Sequence, residues 1–200
     1  MIGSAVRSRL FELRRDRQAA RRSADLLEHK REALLREILR RDRRRAELRS
    51  TVEASLHGAR ALLAVARVDL GFDGVEAASM SQSPRFVLRD RTISVMGVRI
   101  AQLDITREPY RAEYGAAATA QSLDEAGAAF TALLPDLLHL AEQETALHRL
   151  RLAMRKTTKL FNALRKVVLP RIEREIRATI EGIEEEERDE FVRQDVLRHQ

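Results

Sequence analysis

The stretch Thr157–Phe191, TTKLFNALRKVVLPRIEREIRATIEGIEEEERDEF, decides how the chain is built. Leu150, Met154, Thr157, Phe161, Leu164, Val168, Ile172, Ile176, Ile180 and Ile183 recur at steps of three or four, with Leu147 just before them. That spacing brings one side chain per turn to a single face of a helix. The stripe is as narrow as a coiled-coil seam, narrower than the face a helix buries in a globular domain. Such a helix requires one long partner, and the other end of the chain holds a candidate.

From about Ser4 to Leu70 two rows run at seven-residue spacing. One reads Leu13, Ala20, Leu27, Leu34, Arg41, Leu48, Ser55, Leu62; the other reads Leu10, Arg17, Ala24, Arg31, Ile38, Arg45, Val52, Ala59. Together they alternate steps of three and four, the coiled-coil pattern. Arg17, Arg31, Arg41 and Arg45 interrupt it, and their stems can line a seam while the guanidinium reaches water. No proline breaks the segment, and Gly58 is its one internal weak point. A helix of about 60 residues extends roughly 90 Å.

Between these helices the character changes. Gly71, Gly74 and the Ser79–Pro84 run are punctuation. RFVLRDRTISVMGVRIAQLDI then alternates Phe86, Leu88 and later Ile93, Val95 with polar residues, as do Val98 and Ile100. Short strands are expected, in a hairpin turning near Met96-Gly97, with Asp90-Arg91 as a second candidate turn. A loop follows through Pro109 and the 115–119 run. Ser122-Leu-Asp-Glu125 has the capping-box form, so a short helix is expected from Leu123. Pro135 ends it, kinks it or opens the next. Helical periodicity then continues to the C-terminus, with a modest bend at Pro170.

The expected fold is mainly α: a long antiparallel two-helix coiled coil of the N- and C-terminal helices, with a β-hairpin and a short helix between. The segments are 1–70, 71–134 and 135–200, forming one elongated unit. If the chain turns back between 70 and 135, partners carry numbers adding to roughly 205. The acidic run Glu184–Glu187, Asp189, Glu190 then lies beside Arg14, Arg15, Arg17, Arg21 and Arg22. Exposed ion pairs contribute only ~0–1 kcal/mol each, yet they discriminate against a slipped or parallel pairing.

Composition excludes several classes. Aromatics are 4% and charged residues 34%, which favours helices over an aromatic-rich compact core. There is no cysteine, hence no disulfide framework and no thiolate metal site. No apolar run approaches bilayer length, and Arg7 and Arg9 precede no signal-peptide core, so the expected location is cytoplasmic. The net charge of +6 fits nucleic acid or anionic lipid as well as a solvated helix face. Carboxylates interspersed among the arginines favour the solvated face. His29, His57, His139, His148 and His199 form no metal-ligand spacing, and there is no P-loop. No catalytic residue, metal ligand or cofactor site is expected. The Arg40–Arg45 cluster lacks the interleaved aromatics of a nucleic-acid surface.

Three stretches together resemble the D subunit of the V-type and archaeal-type rotary ATPases. Leu26-Leu27, Lys30-Arg31 and Glu32 match a Leu-Leu-x-x-Lys-Arg-[Asp/Glu] motif. Met96-Gly97-Val98 resembles a Met-Gly-Val preceding a proline, here Ala101. Asn162-Ala163-Leu164, Val167, Pro170-Arg171-Ile172-Glu173 and Glu187-Arg188-Asp189-Glu190-Phe191 resemble the C-terminal signature. The departures are mainly Arg in place of Lys, and Thr157-Thr158-Lys159 in place of a basic run. The resemblance implies a central stalk without an active site, transmitting torque between the catalytic ring and the membrane rotor. Its implied partners are the catalytic and non-catalytic ring subunits, a small stalk subunit and the membrane-rotor cap, at the cytoplasmic side of the membrane, with no nucleic acid and no membrane insertion. It implies that Arg14, Arg17, Arg21, Glu184, Glu187, Arg188 and Phe191 belong to the tip inside the ring. Ile93, Val95, Met96, Gly97 and Val98 would face the stalk partner. A helical adaptor and an arginine-rich nucleic-acid-binding protein are the alternatives.

Overall fold

A computed structural model describes residues 2–82, 86–107, 110–114 and 121–198. The loop expected at Pro109 and 115–119, the end of the Ser79–Pro84 run and His199 lie outside the described residues. The elements are α1 (Ile2–Met80), β1 (Phe86–Val95), β2 (Val98–Arg107), α2 (Gln121–Ala163), a π-helical turn (Leu164–Val168) and α3 (Leu169–Arg198). Long terminal helices thus enclose an antiparallel hairpin. The chain divides into two compact units, residues 1–35 with 153–200, and residues 36–152.

In the first unit, the two heptad rows of α1 face the C-terminal helix. Leu13, Ala20, Ala24 and Leu34 are buried, as are Thr157, Phe161 and Ile176 opposite. Alanine in the seam lets two backbones approach closely, which explains how so few aromatics suffice. The buried Thr157 hydroxyl donates to the carbonyl of Ala153 at 2.9 Å, one turn back, and so leaves no orphan polar group. Antiparallel pairing is set by Arg7 with Glu187 at 3.1 Å, Arg21 with Glu173 at 2.8 Å, and Arg165 with Glu28 at 3.8 Å.

Those pairs carry numbers adding to roughly 193, not the 205 expected from the sequence. The difference of about twelve residues is about 18 Å along the helix. Its cause lies in the middle of the chain. The expected short helix does not stop at Pro135, which sits inside α2. Burial of Ala126 and Leu133 before it and Ala146 and Leu147 after it holds the helix through the missing hydrogen bond. The fold-back therefore lies earlier in the chain than assumed.

The start of α2 also differs in its chemistry. Ser122 does not cap it; the helix is under way at Gln121, and the Ser122 hydroxyl donates to Asp69 Oδ2 at 2.6 Å. Glu125 accepts from the Gln121 side chain at 2.8 Å, so both members of the expected box are otherwise engaged. Gly71 breaks the helical geometry of α1 at φ 71°, ψ 172°, and helix resumes to Met80. Beyond the break, Ala78 packs with Ala66 and Leu123, and Leu70, Val75 and Tyr114 close over them. Tyr110 lies across Gly127 so closely that a Cβ there would collide with its ring. Tyr110 and Tyr114 share a hydroxyl contact at 2.8 Å, and Tyr114 donates to Asp124 at 2.5 Å. Burial first, then these hydrogen bonds, push the Tyr114 phenol above its ordinary pKa. Ser79 and Ser81 close the helix end by donating to the carbonyls of Glu76 and Ala78, both at 2.8 Å.

The hairpin pairs Phe86 with Arg107 through Val95 with Val98. Its turn is Met96-Gly97, with φ of 52° and 77°. Two consecutive positive φ values are the type I′ geometry that follows the right-handed twist of a two-residue hairpin. The second candidate turn, Asp90-Arg91, runs straight through β1 because Asp90 pairs with Leu103 and Arg91 with Gln102.

Candidate interaction surfaces

Among the described residues no group of three or more His, Asp or Glu side chains gathers as a metal site, and no helix is long and apolar enough to cross a membrane. What the molecule displays is surface. All members of the two heptad rows except Ser55 are buried or half-buried, as is every residue of the C-terminal stripe from Leu147 and Leu150 to Ile183. Within that set Leu27, Leu48, Met154, Leu164, Val168, Ile172 and Ile180 are half-buried, while Ile38 and Val52 are buried.

The seam arginines behave differently from expectation. Arg41 does not send its guanidinium to water; its side chain is 11% exposed. Its Nε donates to Glu37 Oε1 at 2.6 Å, and its Nη1 donates across to Gln143 Oε1 at 3.1 Å. Gln143 is itself buried, so the cluster is a polar cross-tie inside an apolar seam. Arg40 grips the same carboxylate through Nε and Nη2, both at 2.9 Å. The Arg40 hydrogen bond, opposed by burial and helped by Arg41, holds the Glu37 carboxyl below its ordinary pKa. Arg31 lies with its guanidinium carbon 4.8 Å from the centre of the Phe161 ring. Arg45 pairs with Asp42 at 3.2 Å but keeps a buried Nε without a hydrogen-bond acceptor among the described residues.

The expected tip residues do not all meet. Glu187 pairs with Arg7, and Arg21 pairs with Glu173 instead of the acidic run. Arg14, Glu184 and Arg188 are exposed and Arg17 half-buried. Phe191 stands 72% exposed, as does Phe11 at 72%, an apolar pair of side chains that the charged sequence around them conceals.

On the hairpin, Ile100 is fully buried while its cross-strand partner Ile93 and the turn residue Met96 are exposed. Val95 and Val98 are half-buried beside the exposed Gly97. The sheet is tied to its unit by Leu103 N–H donating to Glu142 Oε2 and Arg149 Nη1 donating to the Arg99 carbonyl, both at 3.0 Å. Phe86, Val87 and Leu88 are exposed. The sequence carries a signal for this: apolar residues at 86 and 88 have opposite parity to those at 93 and 95, so they point to opposite faces of one strand. Uninterrupted pairing through Asp90-Arg91 therefore leaves part of that apolar surface uncovered.

Comparison with known proteins gives these surfaces a context. The family model for the D subunit of ATP synthase matches residues 9–199. The A-type ATP synthase D subunit of Methanopyrus kandleri is 33% identical over 190 residues, covering 94% of this chain and 82% of that protein. The V-type ATP synthase D subunit of Thermoanaerobacter sp. is 30% identical over 190 residues, covering 94% and 91%. The A-type D subunit of Pyrococcus furiosus is 27% identical over 191 residues, covering 94% and 89%.

Proposed function

Since the chain belongs to the family of ATP synthase D subunits, we propose that it is the central rotor shaft of a V/A-type ATP synthase, without an active site of its own. It carries torque between the ring that hydrolyses or makes ATP and the membrane rotor that moves ions. The observation that carries this reading is the pairing of the two termini within one chain, with ion pairs whose numbers add to roughly 193. A shaft has to resist twist, and two helices locked side by side resist it better than one. An adaptor has no such need to fold back on itself.

In this reading the charged end around Arg14, Arg17, Arg21, Glu184, Glu187, Arg188 and Phe191 turns inside the ring of catalytic and non-catalytic subunits. Well-hydrated side chains there make a surface that slides. The hairpin around Ile93, Val95, Met96, Gly97 and Val98 faces the small stalk subunit and the membrane-rotor cap, and its uncovered apolar residues are suited to that contact. The chain works as a peripheral subunit on the cytoplasmic side and binds neither nucleic acid nor lipid directly.

The test is a complex assembled with the chain ended after Ile183. ATP hydrolysis is expected to continue while ion pumping per ATP falls severalfold. An unchanged ratio overturns the role of the acidic end. A tagged full-length chain recovered from native membranes is expected to bring ATPase ring subunits with it; recovery as a parallel homodimer without them favours an adaptor instead.

A further inference from the structure

The Arg40–Arg45 run, RRDRRR, is the densest positive stretch of the chain. Helical spacing sends its members in different directions. Arg45 is half-buried towards the seam, and Arg43 stands exposed. Arg40, Arg41 and Arg44 line one cleft of ≈ 310 Å³. Three elements wall it, all within the 36–152 unit. Opposite α1, α2 supplies His139, Glu142 and Gln143, while the hairpin supplies Ile93 from β1 and Gln102, Leu103 and Asp104 from β2.

The cleft holds more donors than free acceptors. Both of its carboxylates are engaged: Glu142 Oε2 accepts from the Leu103 N–H at 3.0 Å, and Asp104 pairs with Arg91. Arg40 and Arg41 share Glu37, yet those bonds use only part of guanidinium groups that carry five N–H donors each. Arg44 and His139 hold no hydrogen-bond or ion-pair partner among the described residues. Gln143 is 7% exposed. Its Oε1 accepts from Arg41 at 3.1 Å, while its amide nitrogen has no acceptor among the described residues. Buried amides are as a rule satisfied, so this one calls for an acceptor from outside the protein.

Charge and shape narrow the ligand. Three arginines against two carboxylates leave the lining at +1 with His139 neutral, and the ion-pair partners just outside it, Glu37 and Arg91, cancel. Water can accept from the free donors but does not answer the surplus charge; a small oxyanion does both, through charge-assisted hydrogen bonds. The volume corresponds to about ten water molecules at ~30 Å³ each, room for a tetrahedral anion with part of its hydration shell. No Phe, Tyr or Trp lines the cleft, so a nucleobase finds no stacking platform there.

We propose that this cleft is a binding site for inorganic phosphate, held by Arg40 and Arg44 from α1 and by His139 and the Gln143 amide from α2. Bound there, the anion ties the hairpin to the helix pair, alongside the Leu103–Glu142 and Arg149–Arg99 hydrogen bonds. The site does not rest on the rotor reading, since its donors and its charge belong to this chain alone. Loss of coupling in the truncated complex neither supports nor weakens it.

The test titrates the full-length chain with potassium phosphate and with potassium chloride at matched ionic strength and pH. Phosphate is expected to raise the melting temperature saturably above the chloride control, and to slow hydrogen exchange of the backbone amides at 101–104. Arg44→Gln removes a charge-assisted donor and is expected to weaken phosphate binding at least tenfold. Arg44 is exposed and unpaired, so helicity by circular dichroism stays unchanged. Arg43→Gln removes the same charge from an exposed position outside the cleft and is expected to leave binding within about twofold. Stabilisation by phosphate no greater than by chloride, binding indifferent to Arg44→Gln, or equal losses from Arg43→Gln and Arg44→Gln overturn the proposal. ATP is expected to bind no more tightly than phosphate; a tenfold preference for ATP overturns the assignment to the free anion.

Discussion

Single side chains in this protein are decided by what lies across the seam. Glu37 illustrates it: two arginines on its own helix hold its carboxyl below the ordinary value of 4.5, the hydrogen bond from Arg40 leading and burial opposing. A carboxyl depressed in the folded state stabilises the fold above its unfolded pKa, and that contribution disappears as pH falls through the folded value. Glu37→Gln is therefore expected to cost about 2 kcal/mol at pH 7, with the difference from the parent shrinking at an acid pH below the lowered folded value. Urea melts of both proteins at the two pH values measure it. Heptad spacing made the position of Arg41 readable, but not its fate. The sequence alone places its guanidinium in water, because Gln143, 102 residues away, supplies the acceptor that keeps it inside. Sequence patterns report which face a residue occupies; they do not report which polar atom arrives from the other helix.

At the scale of the element, the C-terminal helix shows how a proline and a pattern can be accommodated together. The stripe takes consecutive steps of four from Leu164 through Val168, Ile172, Ile176 to Ile180. Such a run drifts around an α-helix by about 40° per step, the signature of a stutter. The π-helical turn Leu164–Val168 takes up the drift, with Leu169 N–H bonding five residues back to the Leu164 carbonyl. The same wider turn lies just before Pro170, whose ring would crowd the carbonyl four residues earlier in a regular helix. Deleting Lys166 removes the surplus residue and restores an α turn, so Ile172 and Ile176 keep their face. The deletion alone is expected to be destabilising because Pro170 then meets a regular helix. Combined with Pro170→Ala, it is expected to recover most of the loss, a gain of about 2–3 kcal/mol over the single deletion. Thermal melts of the deletion, the substitution and the pair give the coupling; purely additive changes would mean the proline and the π turn are unrelated. The hairpin was readable for a different reason: a two-residue Met-Gly turn between alternating apolar runs leaves one register in which Val95 meets Val98.

For the molecule as a whole, the antiparallel pairing of the termini was legible and its alignment was not. Two heptad patterns specify that helices meet, but every shift by seven residues preserves the apolar match. What chooses among those shifts is the length of the intervening turn-back, and that hinged on Pro135, where local propensity and tertiary burial point in opposite directions. The alignment is testable directly. Cysteines at Arg21 and Glu173 are expected to form a cross-link within one chain under mild oxidation, whereas cysteines at Arg17 and Arg188, matched to the other alignment, are not. Gel mobility under non-reducing conditions reads both, and the opposite result would restore the longer alignment. The interaction surfaces were the least legible part, since a three-walled cleft and an exposed strand face become visible only once the inward faces are known.

The Glu37–Arg41–Gln143 cross-tie has a mechanical corollary. Hydrophobic seams are tolerant of sliding, because one leucine substitutes for the next after each heptad. A guanidinium locked between a carboxylate below and an amide across acts as a detent: lengthwise shear of α1 past α2 must first strand a buried cation, at a cost of several kcal/mol. Replacing that arginine by leucine would leave a stickier but slippier pair, so the polar residues that look like flaws in the coil are what keep its two strands in step.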